Sequence, residues 1–421
     1  MIYKTYNCNS FNVHTIKTDK FKTCHMEIIF SKPCIKEQMC ASTFLADFLS
    51  DSSKKYKSRK EIVIHLEELY KTSFYSVNTK VGNTINTAFI LDFINPSYVE
   101  ESNYLENVIK TPFEIIQKPN ATNEEFDLKS FNIIKERLKR EIEGIYENPA
   151  KMAFRDAFNT MDPDSSTSFP MLGTIEDLEK ITPASLYKLY KTFFKDSICD
   201  IFIIGNLDMD EVVTLIKKYY KNRIINTGKR NIYIDNAIRK KEIYAEGEGD
   251  FIQANLVELF NLDNLTKKEK DVVFQVYNYL LGSGGLTSKL YQSIREENSL
   301  CYGISSMYLK YDGLLAIHVS LENENVKKAS SLIKKCIKSM AKGEITEEEL
   351  EDAKKNLILS LDLSMDNNVA LINNYVFNII DNLPDLEKRK EMLLEVTRED
   401  VINVAKKIKL NTVYVLNGGK K

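Results

Sequence analysis

The sequence predicts an α+β fold made of two duplicated domains, each a largely antiparallel sheet covered by helices. Three observations carry this prediction. Two pairs of segments repeat along the chain at offsets above 200 residues, turn dipeptides join consecutive strands into hairpins, and amphipathic helices accompany the hairpins. A period of about 20 to 50 residues would predict a solenoid, whereas so large an offset predicts duplication of a whole domain.

The first repeated pair joins a helix to an apolar strand. Residues 181–206 and residues 396–419 each place a threonine, Thr182 or Thr397, at the position of a helix N-cap. In both copies a helix-forming run, a short polar link and an apolar strand then follow in the same order. We therefore expect the same helix-strand unit in both domains.

The second repeated pair is a hairpin followed by a helix. Aligning Tyr75 with Tyr302 gives an offset of 227 residues and needs no gap. The first copy turns at Gly82-Asn83 and the second at Asp312-Gly313, dipeptides that favour the positive φ values of tight turns. Because hairpins pair their strands antiparallel, each sheet is expected to be largely antiparallel.

The helices and the join between the copies complete the domain prediction. Amphipathic helices are predicted at residues 126–146 and residues 347–365. A polar, basic run at residues 226–241 separates the two copies and is the expected join. We therefore predict one domain over residues 1–235 and a second over residues 236–421.

Composition excludes several classes of function. The chain has 58 basic and 60 acidic residues, dispersed along its length, so a nucleic-acid partner is not expected. No window reaches the roughly 18 consecutive apolar residues of a membrane span, and no apolar core of signal-peptide length stands at the start. The seven cysteines include no CxxC pair, which argues against a disulfide framework or a zinc knuckle. We expect a cytoplasmic protein with reduced thiols and no membrane partner.

One glycine-rich stretch carries the strongest functional signal. Gly282, Gly284 and Gly285 precede Arg295 and Tyr302, which are seven residues apart. Glycines allow an extended peptide to approach the backbone closely. A guanidinium or a phenol can donate hydrogen bonds to the oxyanion that develops when a peptide bond is attacked. Taken alone, the glycines would equally suit an ordinary turn, Arg295 would suit an ion pair, and Tyr302 would suit an aromatic ring in the core.

Together with the duplicated architecture, this stretch resembles the M16 family of zinc peptidases, which includes pitrilysin, insulysin and the mitochondrial processing peptidase. The resemblance rests on the glycine loop and the runs S-K-L-Y-Q-x-I-R-E and L-x-Y-G-I-S-S, and it covers essentially the full chain. It implies two LuxS/MPP-like α/β sandwich domains. It also implies that Arg295 and Tyr302 hold the substrate backbone, with Gly282, Gly284 and Gly285 lining the approach.

The metal motif of active M16 peptidases is missing. Those enzymes carry HxxEH on a first-domain helix, where two imidazoles at i and i+4 face one zinc ion and the glutamate activates a bound water. The four histidines are His14, His25, His65 and His318, and no two lie closer than 11 residues. An HxxEH motif is therefore impossible. His65 begins an HxxE-like run, but Leu69 takes the second histidine position, so we interpret His65 as a helix-packed or solvated residue.

The segment Cys40–Leu49 resembles the place where the motif should stand. By this resemblance Thr43 and Asp47 occupy the two histidine positions, Ala46 occupies the glutamate position, and Glu141 matches the third ligand. Threonine is a poor zinc ligand and alanine supplies no base, so we expect no zinc in this chain.

A retained Arg/Tyr pair without a metal motif resembles the non-catalytic, YmfF-type subgroup of the two-domain bacterial branch. The resemblance implies a heterodimer, in which one subunit brings HxxEH and zinc and the other brings the glycine loop, Arg295 and Tyr302. The expected partners are thus an HxxEH-containing M16 subunit and a peptide substrate. The sequence departs from the subgroup at Leu69-Tyr70-Lys71-Thr72, where the subgroup has L-Y-G-A.

Two other interpretations stay open. In the first, the protein is a structural homodimer or scaffold that retains Arg295 and Tyr302 for packing alone. In the second, it is an active peptidase built on Asp47, Glu141 and rearranged ligands, although no general base stands beside Asp47. A neighbouring gene for an HxxEH homologue, and copurification of the two proteins, would favour the heterodimer over the scaffold.

Overall fold

The computed structural model describes residues 1–222 and 228–419. They form two compact units, each assembled from three parts of the chain. Within the described residues, the first unit contains Met1–Ile142, Phe169–Ile232 and Met365–Val376, and the second contains Glu143–Ser168, Tyr233–Ser364 and Phe377–Lys421. Of the predicted join at residues 226–241, Asn226 and Thr227 lie outside the described residues. The boundary near residue 235 stays a prediction.

The strands belong to two large sheets and one short hairpin. In chain order they are β1 (Ile2–Asn7), β2 (Asn12–Lys17), β3 (Thr23–Pro33), β4 (Ser73–Val81), β5 (Thr84–Ile94), β6 (Ala121–Thr122), β7 (Glu125–Phe126), β8 (Ile198–Gly205), β9 (Ile243–Glu248), β10 (Ala254–Leu262), β11 (Ile304–Leu309), β12 (Leu314–Leu321) and β13 (Ile408–Asn417).

The helices fall between the hairpins. In chain order they are α1 (Met39–Asp51), α2 (Arg59–Glu68), α3 (Tyr104–Ile116), α4 (Leu128–Tyr146), α5 (Pro149–Met161), α6 (Ile175–Lys180), α7 (Pro183–Asp196), α8 (Met209–Tyr219), α9 (Phe274–Asn278), α10 (Val326–Ala341), α11 (Glu347–Ser364), α12 (Asn368–Asp381), α13 (Leu386–Leu394) and α14 (Arg398–Ala405). None of these helices combines the length and the apolar composition that crossing a bilayer requires.

The first unit is built on a six-stranded sheet with the order β1-β2-β8-β3-β5-β4. Neighbouring strands run antiparallel except β2 and β8, which are parallel. Strands β4 and β5 form the predicted hairpin, with Val81 opposite Thr84. Gly82 in the turn has a φ of 54°, the left-handed conformation that favours glycine.

The second unit repeats this topology in a five-stranded sheet. Its order β11-β12-β10-β13-β9 corresponds strand for strand to β4-β5-β3-β8-β2 in the first unit, and β13 and β9 are again a parallel pair. The predicted duplication and the largely antiparallel pairing are therefore confirmed. The second hairpin is looser than a two-residue turn, because a 3-10 turn at Lys310–Asp312 precedes Gly313, whose φ is 62°.

Hydrophobic periodicity decides which side chains fill the core of the first unit. Along β3 the alternate residues Cys24, Met26, Ile28 and Phe30 are buried in one cluster, as the two-residue period of a strand requires. Helix α1 covers β4 and β5 on this side and packs against α3 and α7. This packing holds α1, the helix that carries Thr43, Ala46 and Asp47, against the sheet.

In the second unit, helices cover both faces of the sheet. One face packs against α10 and α14 in a large apolar cluster. The other face packs against α5, whose residues Ala153, Ala157 and Met161 recur at helical spacing and meet β10 and β13. Small alanine side chains allow the helix to approach the sheet closely.

The predicted helix starts are confirmed at both repeated threonines. The side chain of Thr182 accepts a hydrogen bond from the backbone N–H of Ser185, and that of Thr397 accepts one from the backbone N–H of Asp400. Both form reciprocal capping boxes. The same local chemistry thus begins α7 and α14, which precede the equivalent strands β8 and β13.

Candidate functional site

The segment that resembles a degenerate metal motif lies on α1. Thr43 and Asp47 are four residues apart and share one face of this helix, while Ala46 is buried. The Thr43 hydroxyl donates a hydrogen bond to the backbone carbonyl of Met171, 2.7 Å away. Its hydroxyl hydrogen is therefore committed to a structural contact.

Arg137 on α4 forms an ion pair with Asp47. Its guanidinium donates to Asp47 over 3.1 Å and to Asp51, one turn further along α1, over 2.7 Å. The side chains of Asp47 and Asp51 are only 21% and 15% exposed. Burial raises the pKa of Asp47, and the charge of Arg137 opposes this rise. Two partly buried carboxylates thus share one cation supplied by the chain itself.

Thr43, Asp47, Arg137 and Glu141 line one cavity of about 470 Å³. Arg137 and Glu141 are four residues apart on α4 and therefore point to the same side of that helix. The negative charge of Glu141 contributes to the raised pKa of Asp47. The structure thus brings three of the four degenerate positions together and leaves Ala46 in the core.

The donor set does not fit a zinc ion. Zinc sites in proteins use imidazole, thiolate and carboxylate ligands around one point. Here the Asp47 carboxylate is already bound by a guanidinium, and Thr43 offers only a hydroxyl. Across residues 1–222 and 228–419, no group of three or more His, Cys, Asp and Glu side chains is arranged to hold a metal ion.

In the second unit, the three glycines of the loop serve different geometric needs. A Cβ on Gly282 would lie 2.6 Å from Ser306 Oγ, and a Cβ on Gly284 would lie 2.6 Å from the Tyr279 carbonyl oxygen. Gly285 has a φ of 70° and would place a Cβ in open space. Gly282 and Gly284 therefore permit close packing, whereas Gly285 permits a left-handed turn at an exposed position.

Arg295 lies at the end of a π-helical turn, Tyr291–Glu296, that follows the loop. Its guanidinium stacks over the ring of Tyr291, 4.7 Å from the ring centroid, and donates to the hydroxyl of the same tyrosine. The Arg295 side chain is 39% exposed. The positive charge of Arg295 also opposes the rise that burial causes in the pKa of Cys301.

Tyr302 follows this cysteine and extends into solvent. It is 86% exposed, the highest value among the exposed large hydrophobic residues described. A tyrosine ring this exposed contributes little to the core, and the phenol is accessible to a ligand. The two residues of the R-x6-Y motif therefore lie on one surface segment, just before β11.

Two contributors to these sites did not emerge from the sequence. Arg137 could have been suspected, because it stands one helical turn before Glu141 and must share its face. Tyr291, which holds the Arg295 guanidinium, stands four residues before Arg295 in the same way. His65, by contrast, behaves as expected of a helix residue, since its Nε2 lies 3.2 Å from Thr111 Oγ1 and its ring stacks on Tyr56.

Two α+β units of matching topology, with a glycine loop and an R-x6-Y pair in the second, are the arrangement that the resemblance to the M16 peptidases implies. The chain is similar to the M16 family, since residues 180–357 match the family profile "Peptidase M16 inactive domain". The probable inactive metalloprotease YmfF of Bacillus subtilis is 26% identical over 424 residues, covering 96% of this chain and 95% of that protein. The chain therefore resembles inactive M16-like proteins, YmfF among them.

Other relatives agree with this assignment. The non-peptidase homolog YmxG of Helicobacter pylori is 21% identical over 327 residues, covering 77% of this chain and 70% of that protein. A conserved protein from Enterococcus faecalis V583 superposes with a TM-score of 0.93 at 25% identity, over 100% of this chain and 99% of that one. A peptidase M16 inactive domain from Pseudomonas fluorescens superposes with a TM-score of 0.80 at 18% identity, over 100% and 99% of the two chains, and shows the shared fold.

Proposed function

We propose that this chain is the non-catalytic subunit of a two-chain zinc peptidase. It binds the peptide substrate with Arg295, Tyr302 and the loop that contains Gly282, Gly284 and Gly285. A partner of the same family supplies the HxxEH motif and the zinc ion. The pair cleaves peptides or a peptide precursor in the cytoplasm, where the cysteines stay reduced.

The exposed position of Tyr302 is the observation that carries the proposal. A phenol that is 86% exposed has little value for packing, and leaving a large ring in water costs hydrophobic free energy. Arg295 lies on the same short segment and keeps more than a third of its side chain accessible. A role in binding accounts for both residues, whereas packing alone does not account for the exposed ring of Tyr302.

The contrast between the two units supports a role for this chain in substrate binding and a role for its partner in metal binding. The first unit places Arg137 against Asp47, where active relatives need metal ligands. The second unit has the hydrogen-bond donors that stabilise a tetrahedral oxyanion, a guanidinium and a phenol. This chain therefore has groups that can orient a peptide and stabilise charge, and it needs another chain for the metal.

Tyr291 acts in this proposal as a positioning residue for Arg295. Its hydroxyl and ring hold the guanidinium near the end of the helical turn, which lowers the conformational entropy that Arg295 loses on binding. The contact is local, so Arg295 can exchange it for a peptide carbonyl without disturbing the core. Tyr291→Phe keeps the stacking and removes the hydroxyl contact.

The test is reconstitution with an HxxEH homologue encoded in the same genome. The two chains are copurified and assayed with a library of fluorogenic peptides. We expect activity from the pair and from neither chain alone. Arg295→Ala is expected to lower kcat/KM by about 10²- to 10³-fold, with pair formation unchanged.

Tyr302→Phe keeps the ring and removes the phenolic O–H, and a loss of about tenfold or more is expected. Arg140→Ala, a change of an exposed arginine on α4, is the matched control and should leave activity unchanged. If the pair forms and cleaves peptides with the same kcat/KM after Arg295→Ala and Tyr302→Phe, the binding role is refuted and a scaffold role takes its place.

A further inference from the structure

The core-facing row of side chains on β3 ends in a lysine. The residues Cys24, Met26, Ile28 and Phe30 alternate into the apolar cluster of the first unit, and Lys32 is next in the same period. Lys32 is 8% exposed. An ammonium group at the end of an otherwise apolar row is costly to bury unless it has a partner.

No such partner is found in the part of the chain that the structure describes. Among the described residues, no carboxylate lies within ion-pair distance of the Lys32 ammonium and none accepts a hydrogen bond from it. Burial lowers the pKa of Lys32 to about 8, and the more distant charges of Asp196 and Cys34 only partly oppose this effect. Lysine amines in folded proteins usually remain near their ordinary value because water or a counter-charge surrounds them.

Lys32 faces a cavity of about 640 Å³ within the first unit. Other ionisable groups in its lining are Cys34, Asp196, Lys229 and Arg230. Three cationic side chains thus face one acid, the exposed Asp196. The guanidinium of Arg230 is already paired with Asp200, so its charge is matched, whereas no described residue pairs with Lys32.

We propose that this cavity binds a small oxyanion, a carboxylate or a phosphate group, with the Lys32 ammonium as its direct charged partner. A charge-assisted hydrogen bond in a partly desolvated site is stronger than one in water and offsets the cost of burying the amine. The volume suits a small molecule or the end of a peptide and exceeds what a single ion needs. The proposal is independent of the peptidase role of the second unit.

The test uses inorganic phosphate and acetate as probes on the full chain. Thermal unfolding is followed while sodium phosphate or sodium acetate is added at constant ionic strength, with sodium chloride as the reference. We expect at least one of the two anions to raise the Tm in a saturable way. Stabilisation by phosphate alone indicates a phosphate ligand, and stabilisation by acetate alone indicates a carboxylate ligand.

Lys32→Met keeps the aliphatic stem and removes the charge, and it is expected to weaken the saturable effect at least tenfold. Lys54→Met, at an exposed lysine of the same unit, is the matched control and should respond like the unsubstituted chain. As a second readout, NMR of lysine labelled at Cε should show the pKa of Lys32 rising from about 8 when the anion binds. Equal responses of the Lys32→Met variant and the unsubstituted chain, or no effect of either anion on Tm and on this pKa, would overturn the proposal.

Discussion

The guanidinium of Arg137 lies 3.1 Å from the carboxylate of Asp47, although the two residues are 90 positions apart in sequence. It lies nearer still to Asp51, and it thereby joins α4 to α1 at the face where an active relative would hold zinc. A metal ion requires donors that are free to bind it. In this chain the carboxylates of Asp47 and Asp51 are already bound by the guanidinium of Arg137.

The first prediction concerns the stability that this cation provides. Arg137→Ala removes the guanidinium that pairs with Asp47, and it leaves Asp51 with only the more distant Arg59, 3.8 Å away. We expect the free energy of unfolding to fall by about 1 to 3 kcal/mol in urea denaturation at neutral pH. Arg140→Ala removes an exposed arginine three residues away on the same helix and should cost less than about 0.5 kcal/mol. Equal effects of the two changes would contradict the assigned role of Arg137.

The second prediction is that Arg137 prevents metal binding even when ligands are restored. The double change Thr43→His and Asp47→His places two imidazoles at i and i+4 on α1, with Glu141 on the same cavity. With Arg137 present, we expect no stoichiometric zinc by metal analysis after dialysis, because its positive charge lies in the same cavity and repels the metal ion. Adding Arg137→Ala should allow about one zinc per chain. Equal zinc contents in the two variants would show that Arg137 has no such effect.

The third prediction concerns Glu258, which is fully buried on β10. One of its oxygens is bound by the Ser330 hydroxyl, and Oε2 has no partner among the described residues. Burial raises the pKa of Glu258 to about 7. The unfolded chain therefore loses this proton near pH 4.5 and the folded chain near pH 7, so stability falls as pH rises through that window.

Glu258→Gln removes the titration and keeps the shape of the side chain. At pH 8 we expect the variant to be more stable than the unsubstituted chain by up to about 3 kcal/mol, and at pH 4 the difference should vanish. Urea unfolding at both pH values measures the difference in the free energy of unfolding. Glu248→Gln, at an exposed position on β9, is the control and should change neither value. A variant that is destabilised at pH 8 would contradict the burial argument.

The fourth prediction concerns His25, which lies between two carboxylates on the sheet of the first unit. Its Nδ1 is 2.5 Å from Asp92 and its Nε2 is 2.9 Å from Glu27. Burial lowers the pKa of His25, but the two hydrogen-bonded carboxylates outweigh it and raise the pKa to about 9. The stabilisation that protonated His25 gives to the folded chain is therefore complete below pH 6.5 and is lost as pH rises toward 9.

We expect the unsubstituted chain to lose up to about 3 kcal/mol between pH 6.5 and pH 9 through this group, and His25→Gln to flatten that part of the profile. His65→Gln is the control, because burial lowers the pKa of His65 and confines its effect to pH values below 6.5. A slope between pH 6.5 and pH 9 that is the same with and without His25 would exclude this origin.

Much of the fold could be predicted because its signals are local. Thr182 and Thr397 begin helices through contacts within four residues, and Gly82 reverses the chain through its own φ. The duplication can be seen in the sequence because both copies retain helix N-caps and turns in the same order. The role of α5 was not predictable, since its alanines are buried only by strands β10 and β13, which lie far along the chain.

The candidate site divides in the same way. The sequence alone excludes an HxxEH motif, because no two of the four histidines are close enough to share one face of a helix. The spacing of Arg295 and Tyr302 can also be read directly from the sequence. The cation beside Asp47, the contact between Arg295 and Tyr291, and the burial of Lys32 beside a cavity could be seen only in the folded chain. Charge pairing and burial depend on which distant elements pack together, and that packing is a property of the whole chain rather than of any short segment.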